Sequence, residues 1–327
     1  MLQRAQIDSL LPRGGGDYDV FVAGAGPAGF GAALAASNLG ARTLLVEARG
    51  FPGGIAATSL WMPINRLKKE GGSRGGVHEK LVRRLESFGP DACREGKVTW
   101  TDGDGLHVHP DYLKEAMFSL LEEAGCAYRL DSPVVGARTE GGCVREAIVA
   151  TPGEPQRFTA RVFIDCTGDG DVAFRAGVEC CKGDAEGGMQ PPTLMFCMKG
   201  VDVQRLRDAI VGHPDVYDMD VMPPEQFRTG KFITVGLRTQ IRQAQAAGYR
   251  IPVARTILIT GLADDEIWVN MTRVNGVDST RPESYTHGEI EGRKQVYEVE
   301  RYLREFVPGY ENCYAVTSAS NVGVRET

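Results

Sequence analysis

The chain has 327 residues, 42% of them hydrophobic and 24% charged, which is length enough for two domains with a core each. Asp and Glu (43) outnumber Lys and Arg (37), and the net charge of -6 argues against nucleic acid or an anionic membrane as a partner. No apolar run approaches the length of a membrane span. The eight cysteines include no C-x-x-C pair, so reduced thiols in a cytoplasmic protein are expected, with no metal, no iron–sulfur cluster and no redox disulfide.

Residues 1–16 hold Arg4, Asp8 and Arg13 and end in three glycines; without the apolar block of a secretory signal they read as a flexible leader. Tyr18 to Ala23 is a nearly continuous apolar run, the pattern of a buried parallel strand. A glycine turn follows, then a small-residue helix from Pro27 to about Leu39, closed by Gly40, and a second buried strand from Thr43 to Glu47. Strand, helix and strand in this order make a βαβ unit with a right-handed crossover. Amphipathic spacing predicts helices over Val77–Phe88 and Pro110–Ala124, the second started by Pro and ended at Gly125. From Ala127 to Asp165 apolar and polar residues alternate, with turn signals at 140–142 and 152–153, which predicts a hairpin or small antiparallel sheet.

Composition shifts near Gly183. Beyond it Gln190–Lys199, Thr256–Thr260 and Ile267–Arg273 read as strands, and Val203–Val211 and Arg238–Ala247 as helices. Thr286 and Glu289 have capping-box spacing, and Val296, Val299, Leu303 and Phe306 form a stripe, so one long helix should run to about Val307. The expected organisation is a leader (1–16), the first part of a dinucleotide-binding domain (17–184), an inserted substrate or cap domain (185–275), and a return to the first domain (276–327). The fold class is α/β: a Rossmann-like domain with a parallel sheet and a small antiparallel insertion, plus an α+β substrate or cap domain.

The motif with the most chemistry is Gly24-Ala25-Gly26-Pro27-Ala28-Gly29, a G-x-G-x-x-G turn between strand and helix. Gly24 makes the tight turn, Gly26 lets the backbone approach a diphosphate, and Gly29 lets helix pack closely on strand. The helix N-terminus then offers N–H groups and partial positive charge to the phosphates. Glu47 stands at the end of the next strand, where its carboxylate can accept from an adenosine ribose and would repel a 2′-phosphate. FAD or NAD is therefore favoured over NADP.

The glycine turn resembles that of the glutathione-reductase-like flavoproteins with two dinucleotide-binding domains. Along nearly the whole chain the sequence resembles a bacterial family of FAD-dependent oxidoreductases, itself similar to the flavoprotein core of heterodisulfide reductase. The stretches that carry the resemblance are Asp19–Gly29, Phe51–Thr58 (F-P-G-G-I-A-A-T), Phe163–Asp171 with its C-T-G-D-G-D, Val269–Arg273 and Gly323–Thr327. The resemblance implies FAD as cofactor, with Gly53 and Gly54 beside the diphosphate and ring, and with the strand ending in Thr167-Gly168 near the adenosine half. It also places Ala48, Arg49, Ala57, Thr58, Val135 and Asp171 in the cofactor set. Members of the family continue past Arg-Glu-Thr with residues that contact the flavin, so the chain is expected to stop short of that segment.

On the substrate side the candidates are Arg66, which follows the flavin-proximal segment, Arg273 at the end of a predicted strand, and His287 at the start of the long helix, where an imidazole could act as acid or base. Each has an ordinary structural alternative: Arg66 solvated beside Lys68 and Lys69, Arg273 paired with Glu289 or another carboxylate, His287 decorating a first helical turn. His107 and His109 alternate along an apparent edge, where a solvated or capping role is expected rather than a metal. Asp169 and Asp171 could bond a ribose or ribityl hydroxyl, or cap the turn that follows. The expected function is an oxidoreductase with tightly held FAD that passes hydride or electrons between a small organic substrate and a second acceptor. Its rivals are a non-catalytic flavin-binding or electron-relay subunit that needs a partner to complete its site, and an NAD-dependent dehydrogenase.

Overall fold

The computed structural model describes residues 17–59, 64–65, 75–97, 104–219 and 230–325. In chain order the elements are β1 (Tyr18–Ala23), α1 (Pro27–Asn38), β2 (Thr43–Val46), α2 (Gly54–Thr58), β3 (Ile64–Asn65), α3 (Gly76–Ser87), β4 (Cys93–Lys97), β5 (Asp104–Val108), α4 (Pro110–Glu123), β6 (Ala127–Arg129), β7 (Val134–Glu140), β8 (Cys143–Ala150), β9 (Pro155–Asp165) and α5 (Asp171–Arg175). The remainder are β10 (Phe196–Lys199), α6 (Val203–Gly212), α7 (Pro214–Tyr217), β11 (Ile233–Gly236), α8 (Arg238–Ala246), β12 (Thr256–Thr260), β13 (Ile267–Val269), α9 (Pro282–Phe306) and β14 (Tyr314–Ser318).

Two compact units divide the chain. The first comprises residues 1–57, 75–81 and 113–181, the second 58–74, 82–112 and 182–327. The second unit thus takes up 82–112 and 276–327, which the sequence pattern had suggested for the dinucleotide-binding domain.

The first unit is built on a six-stranded sheet in the order β6-β2-β1-β9-β8-β7. Its β6-β2-β1-β9 half is parallel, with Phe21 opposite Leu44 on one side and Phe163 on the other. The β9-β8-β7 half is antiparallel, as the alternation over 127–165 predicts. All four residues of β2 are buried, the signature of a strand covered on both faces. Phe21 anchors the core, its ring 6.1 Å from that of Phe158 and 5.5 Å from that of Phe163. Helix α1 is held by Phe30, Ala33 and Leu34, all buried. Its other residues are small enough to bring helix backbone close to the sheet.

The second unit is built on a five-stranded antiparallel sheet in the order β11-β12-β13-β10-β14. Phe196, Met198, Leu258 and Val269 bury one face against Leu206 of α6, Ile241 of α8 and Val299 and Leu303 of α9. Met195, Cys197, Ile233, Val235, Ile259 and Trp268 form a second apolar layer. A separate three-stranded antiparallel sheet, β3-β5-β4, belongs to the same unit.

Some elements differ from the sequence-based expectation. The strand expected over Ile267–Arg273 stops at Val269, and the one expected over Gln190–Lys199 begins at Phe196. The long helix starts at Pro282, with Pro in its first turn and Arg281 at the cap position, where its side chain makes no capping bond. Thr286 is therefore inside the helix, its hydroxyl donating to the Pro282 carbonyl, and no capping box forms. Glu289 instead accepts from Val322 N and from Arg293.

Candidate dinucleotide site

The glycine turn adopts the conformation its composition demands. Gly24 has φ +90°, and a Cβ there would lie 2.3 Å from the Cys166 carbonyl oxygen. Its N–H donates to the Val46 carbonyl, and Cys166 N donates to Ala23 O, so the tips of β1, β2 and β9 are bonded together beneath the turn. A Cβ at Gly29 would lie 1.7 Å from the Gly24 carbonyl oxygen. That contact fixes how deeply α1 seats on β1, and only glycine permits it.

Gly26 caps α1 with extended backbone and no side-chain cap, Pro27 occupies the first turn, and no acidic residue lies there. The first intrahelical bond runs from Phe30 N to Gly26 O. The amides of Ala28 and Gly29 precede it, and Pro27 and Ala28 are exposed. A helix that ends in unsatisfied amides and carries no anion of its own is suited to a diphosphate.

The second glycine segment interlocks with the first. Gly53 N donates to Ala25 O at 2.8 Å. Gly53 has φ +111° and Gly54 φ +49°, and a Cβ at Gly54 would lie 2.9 Å from Gly26 Cα. Backbone meets backbone, so the two segments present their peptide groups side by side. Ala57 is buried, and a Cβ at Gly53 would meet its methyl at 2.7 Å. Lys114 lies 4.2 Å over the Phe51 ring, bracing the entry to this segment.

Glu47 is buried at 7% exposure rather than turned to solvent. Its Oε2 accepts from Ala25 N at 2.6 Å and its Oε1 from Arg49 N at 2.9 Å. The carboxylate therefore ties the glycine turn to the loop that follows β2. Each oxygen keeps acceptor capacity for a sugar hydroxyl, since a carboxylate offers about four lone-pair sites. Ala48 is exposed and Arg49 half-buried beside it.

The C-T-G-D-G-D segment leaves β9 as a loop organised by Asp165, which stands just before the motif and was not among the sequence candidates. Asp165 Oδ1 accepts from Thr167 N at 3.1 Å and Thr167 Oγ1 at 2.8 Å, and Oδ2 accepts from Ala173 N at 2.9 Å. Thr167 Oγ1 in turn accepts from Asp171 N. Gly168 and Gly170, at φ +89° and +69°, let the chain turn within that frame. Asp171 caps nothing with its side chain; its carboxylate pairs with Arg175. The signal was present in the sequence: Asp two residues before Thr is the spacing of an Asx turn. Beside it, burial and the Asp165 carboxylate push the Cys166 thiol up.

The structure brings together Gly24, Gly26, Pro27, Ala28, Gly29, Glu47, Arg49, Gly53 and Gly54, and sets the Thr167–Asp171 loop at the tip of the neighbouring strand β9. Val135 lies on β7 at 37% exposure. Thr58, in the second unit, is buried, and its carbonyl accepts from Ser320 N. Arg66 lies outside the described residues. Arg273 and His287 are both exposed. Arg273 exchanges backbone bonds with the Gln295 amide, and its Nε donates to Asn275 Oδ1; its pairing with Glu289 does not occur, because Glu289 is taken by Arg293.

One of the two histidines departs from expectation. His107 is fully buried in β5, its Nδ1 3.1 Å from the Thr260 carbonyl oxygen, and burial holds its imidazole down to about 4, neutral at ordinary pH. Neither a solvated nor a capping role applies. His109 does cap, its Nδ1 accepting from Asp111 N at the start of α4. Among the described residues no group of three or more His, Cys, Asp and Glu could hold a metal ion, and no helix is long and apolar enough to cross a membrane.

Three comparisons bear on this geometry. Over 132 residues the chain is 49% identical to the mitochondrial dihydrolipoyl dehydrogenase of Schizosaccharomyces pombe, a match that covers 33% of this chain and 26% of that protein. Among solved structures it is similar to a geranylgeranyl bacteriochlorophyll reductase-like protein from Thermoplasma acidophilum, with TM-score 0.56 and 16% identity over 94% of this chain and 66% of that one. It is also similar to L-proline dehydrogenase from P. horikoshii, with TM-score 0.54 and 11% identity over 96% and 83% of the two chains. At these identities the structural likeness speaks for the fold. The chain spans about a quarter of the curated relative and just under two thirds of the Thermoplasma protein. The family model described as FAD dependent oxidoreductase matches residues 19–327. The chain belongs to the FAD dependent oxidoreductase family, and its cofactor is FAD.

Proposed function

We propose that the chain holds FAD at the interlocked glycine segments and serves an oxidoreductase that passes hydride or electrons between a small organic substrate and a second acceptor. The observation that carries this reading is the backbone-to-backbone approach of Gly26 and Gly54 at the uncapped N-terminus of α1. A side chain on Gly54 would collide with the Gly26 backbone and push the two segments apart. When bound, FAD supplies the redox chemistry.

In this reading the amides of Ala28 and Gly29 face the diphosphate, and Glu47 accepts from the adenosine ribose while bracing the turn. Ala48, Arg49 and Val135 line the adenosine side. Ala57 and Thr58 continue the second glycine segment, and Thr167, Gly168 and Asp171 supply a loop that Asp165 keeps in shape. Arg273 and His287 are exposed, and with Arg66 they are the candidates to touch substrate. The eight cysteines scattered along the sequence with no C-x-x-C pair suit a reducing compartment, the cytoplasm. A redox partner protein could serve as the second acceptor.

The test is the visible spectrum of the purified protein after exhaustive dialysis, followed by anaerobic titration with organic substrates. A retained flavin spectrum that bleaches on substrate addition is expected. A colourless protein that neither retains nor rebinds FAD refutes the reading.

A further inference from the structure

We propose that the second unit carries a binding site for a small oxyanion, a carboxylate or phosphate group, in the cavity where Arg94, Arg207 and Lys231 converge. The cavity encloses about 460 Å³, and Glu95, Thr260 and Asp264 complete the wall that matters here. The glycine turn and Glu47 belong to the first unit, so this site is not the dinucleotide cradle.

The three cations come from different parts of the unit, and each is anchored by its own bonds. Arg94, on β4, donates from Nε to the Pro90 carbonyl at 3.1 Å. Arg207, on α6, lies 5.0 Å over the Phe232 ring and donates from Nη2 to Gly230 O at 3.0 Å. Lys231, just before β11, donates to the Ala263 carbonyl at 3.1 Å. Groups held this way are positioned before a ligand arrives, which removes part of the ordering cost of binding.

Asp264 approaches Lys231 at 3.4 Å, but its side chain is 99% exposed while that of Lys231 is 13% exposed. A solvated carboxylate at the rim offsets little of what burial costs an ammonium group. Burial lowers the proton affinity of Lys231 and outweighs the opposing pull of Asp264 and Glu266, with Arg94 adding to the lowering; burial likewise lowers that of Arg207 against the pull of Asp208. Among the described residues the cavity wall itself carries Arg94, Arg207 and Lys231 with Glu95 and Asp264, while Glu266 and Asp208 act on Lys231 and Arg207 from nearby. An oxyanion with two or more oxygens could bridge the guanidinium and ammonium donors and supply the counter-charge from inside the cavity.

The experiment is isothermal titration of the purified full chain with inorganic phosphate and, separately, with succinate, both at constant ionic strength set with sodium chloride. Saturable binding of at least one anion is expected, with Kd below about 10 mM. Kd should rise about tenfold or more in Lys231→Gln and in Arg94→Gln, with the flavin absorbance of each variant unchanged. Preference for phosphate assigns a phosphorylated ligand, and preference for succinate a carboxylate one. Arg94 sits half-buried on a short strand, so Arg94→Gln keeps the test open if Lys231→Gln does not fold. No saturable binding of either anion, or an unchanged Kd in a folded variant, overturns the proposal. A colourless protein that still binds anions in this way would refute the FAD reading and leave this site standing.

Discussion

Replacing Glu47 by Gln separates the two jobs assigned to its carboxylate. In the native protein Oε2 accepts from Ala25 N and Oε1 from Arg49 N, inside a site only 7% exposed. Gln keeps one acceptor and turns the other position into a donor that faces an N–H. The amide oxygen should go to the buried Ala25 N–H, leaving the part-buried Arg49 N–H opposed by an NH₂. A bond to a charged acceptor is about twice as strong as a neutral one, so the retained bond weakens by about 1 kcal/mol. The opposed N–H adds about 1 kcal/mol, the low end of the cost of an unmade bond because water can reach it in part. Apoprotein stability should therefore fall by about 2 kcal/mol in Glu47→Gln and by about 3 kcal/mol in Glu47→Ala, which strands the Ala25 N–H altogether. Urea unfolding of apoprotein gives this number without any ligand. Fluorescence titration with FAD should then show a further loss of about tenfold or more from the missing ribose acceptor. If Glu47→Gln leaves apoprotein stability within about 0.5 kcal/mol of native, the bracing role is wrong, whatever happens to FAD.

Other substitutions probe different parts of the same physics. Gly29→Ala puts a methyl 1.7 Å from the Gly24 carbonyl oxygen and should abolish FAD retention, whereas Gly31→Ala, with nothing within 4 Å, should be neutral or stabilise by about 0.5–1 kcal/mol; equal flavin content in the two purified variants contradicts the packing argument. Glu146 is buried between Arg157, itself only 16% exposed, and Arg138, which is 52% exposed. Arg157→Met should cost about 1–3 kcal/mol and Arg138→Met under about 1 kcal/mol in chemical denaturation, and a reversed order would show that burial does not rank the two pairs. His107 carries a pH signature. Its folded value of about 4 lies below the ordinary 6.5, so between these values the unfolded chain holds a proton that the native state excludes. Stability should be undiminished above about 6.5 and fall by up to about 3 kcal/mol as pH drops towards 4. A His107→Phe variant whose stability profile keeps the same slope over that window would exclude His107 as its source.

The dinucleotide half of the fold was legible because its constraints are local. A continuous apolar run, a glycine turn, a helix of small residues and an acidic strand end lie within residues 18–47, and the structure has them at those positions. The alternation over 127–165 likewise announced β7, β8 and β9. Elements whose stability comes from distant partners were harder to read. β5 carries Leu106, His107 and Val108, all buried, yet its neighbours in sequence are polar and its bonded partner Thr260 is 153 residues away. β14 alternates little, with Tyr314 and Val316 exposed on an edge strand that pairs with β10. The role of Glu47 was half legible: its place at the strand end follows from spacing, but its bond to Ala25 N depends on how the turn folds back over the strand tips. Asp165 is hard to single out because the glycines after it dominate the motif, although its three bonds are what set their course.

The interleaving of the two units along the chain has a consequence for how the protein is made. No single truncation can release either unit whole, because residues 58–74 and 82–112 of the second lie between segments of the first. As the polypeptide leaves the ribosome, β1 soon meets β2 on one side, but on its other side it waits for β9, more than a hundred residues later. Leu106 and Val108 emerge earlier still, and the Thr260 carbonyl that His107 engages is not synthesised until well after that sheet could close. For that interval the nascent chain carries apolar strand surface in water, so its yield in cells should depend on chaperone supply more steeply than that of a protein whose domains follow one another in sequence.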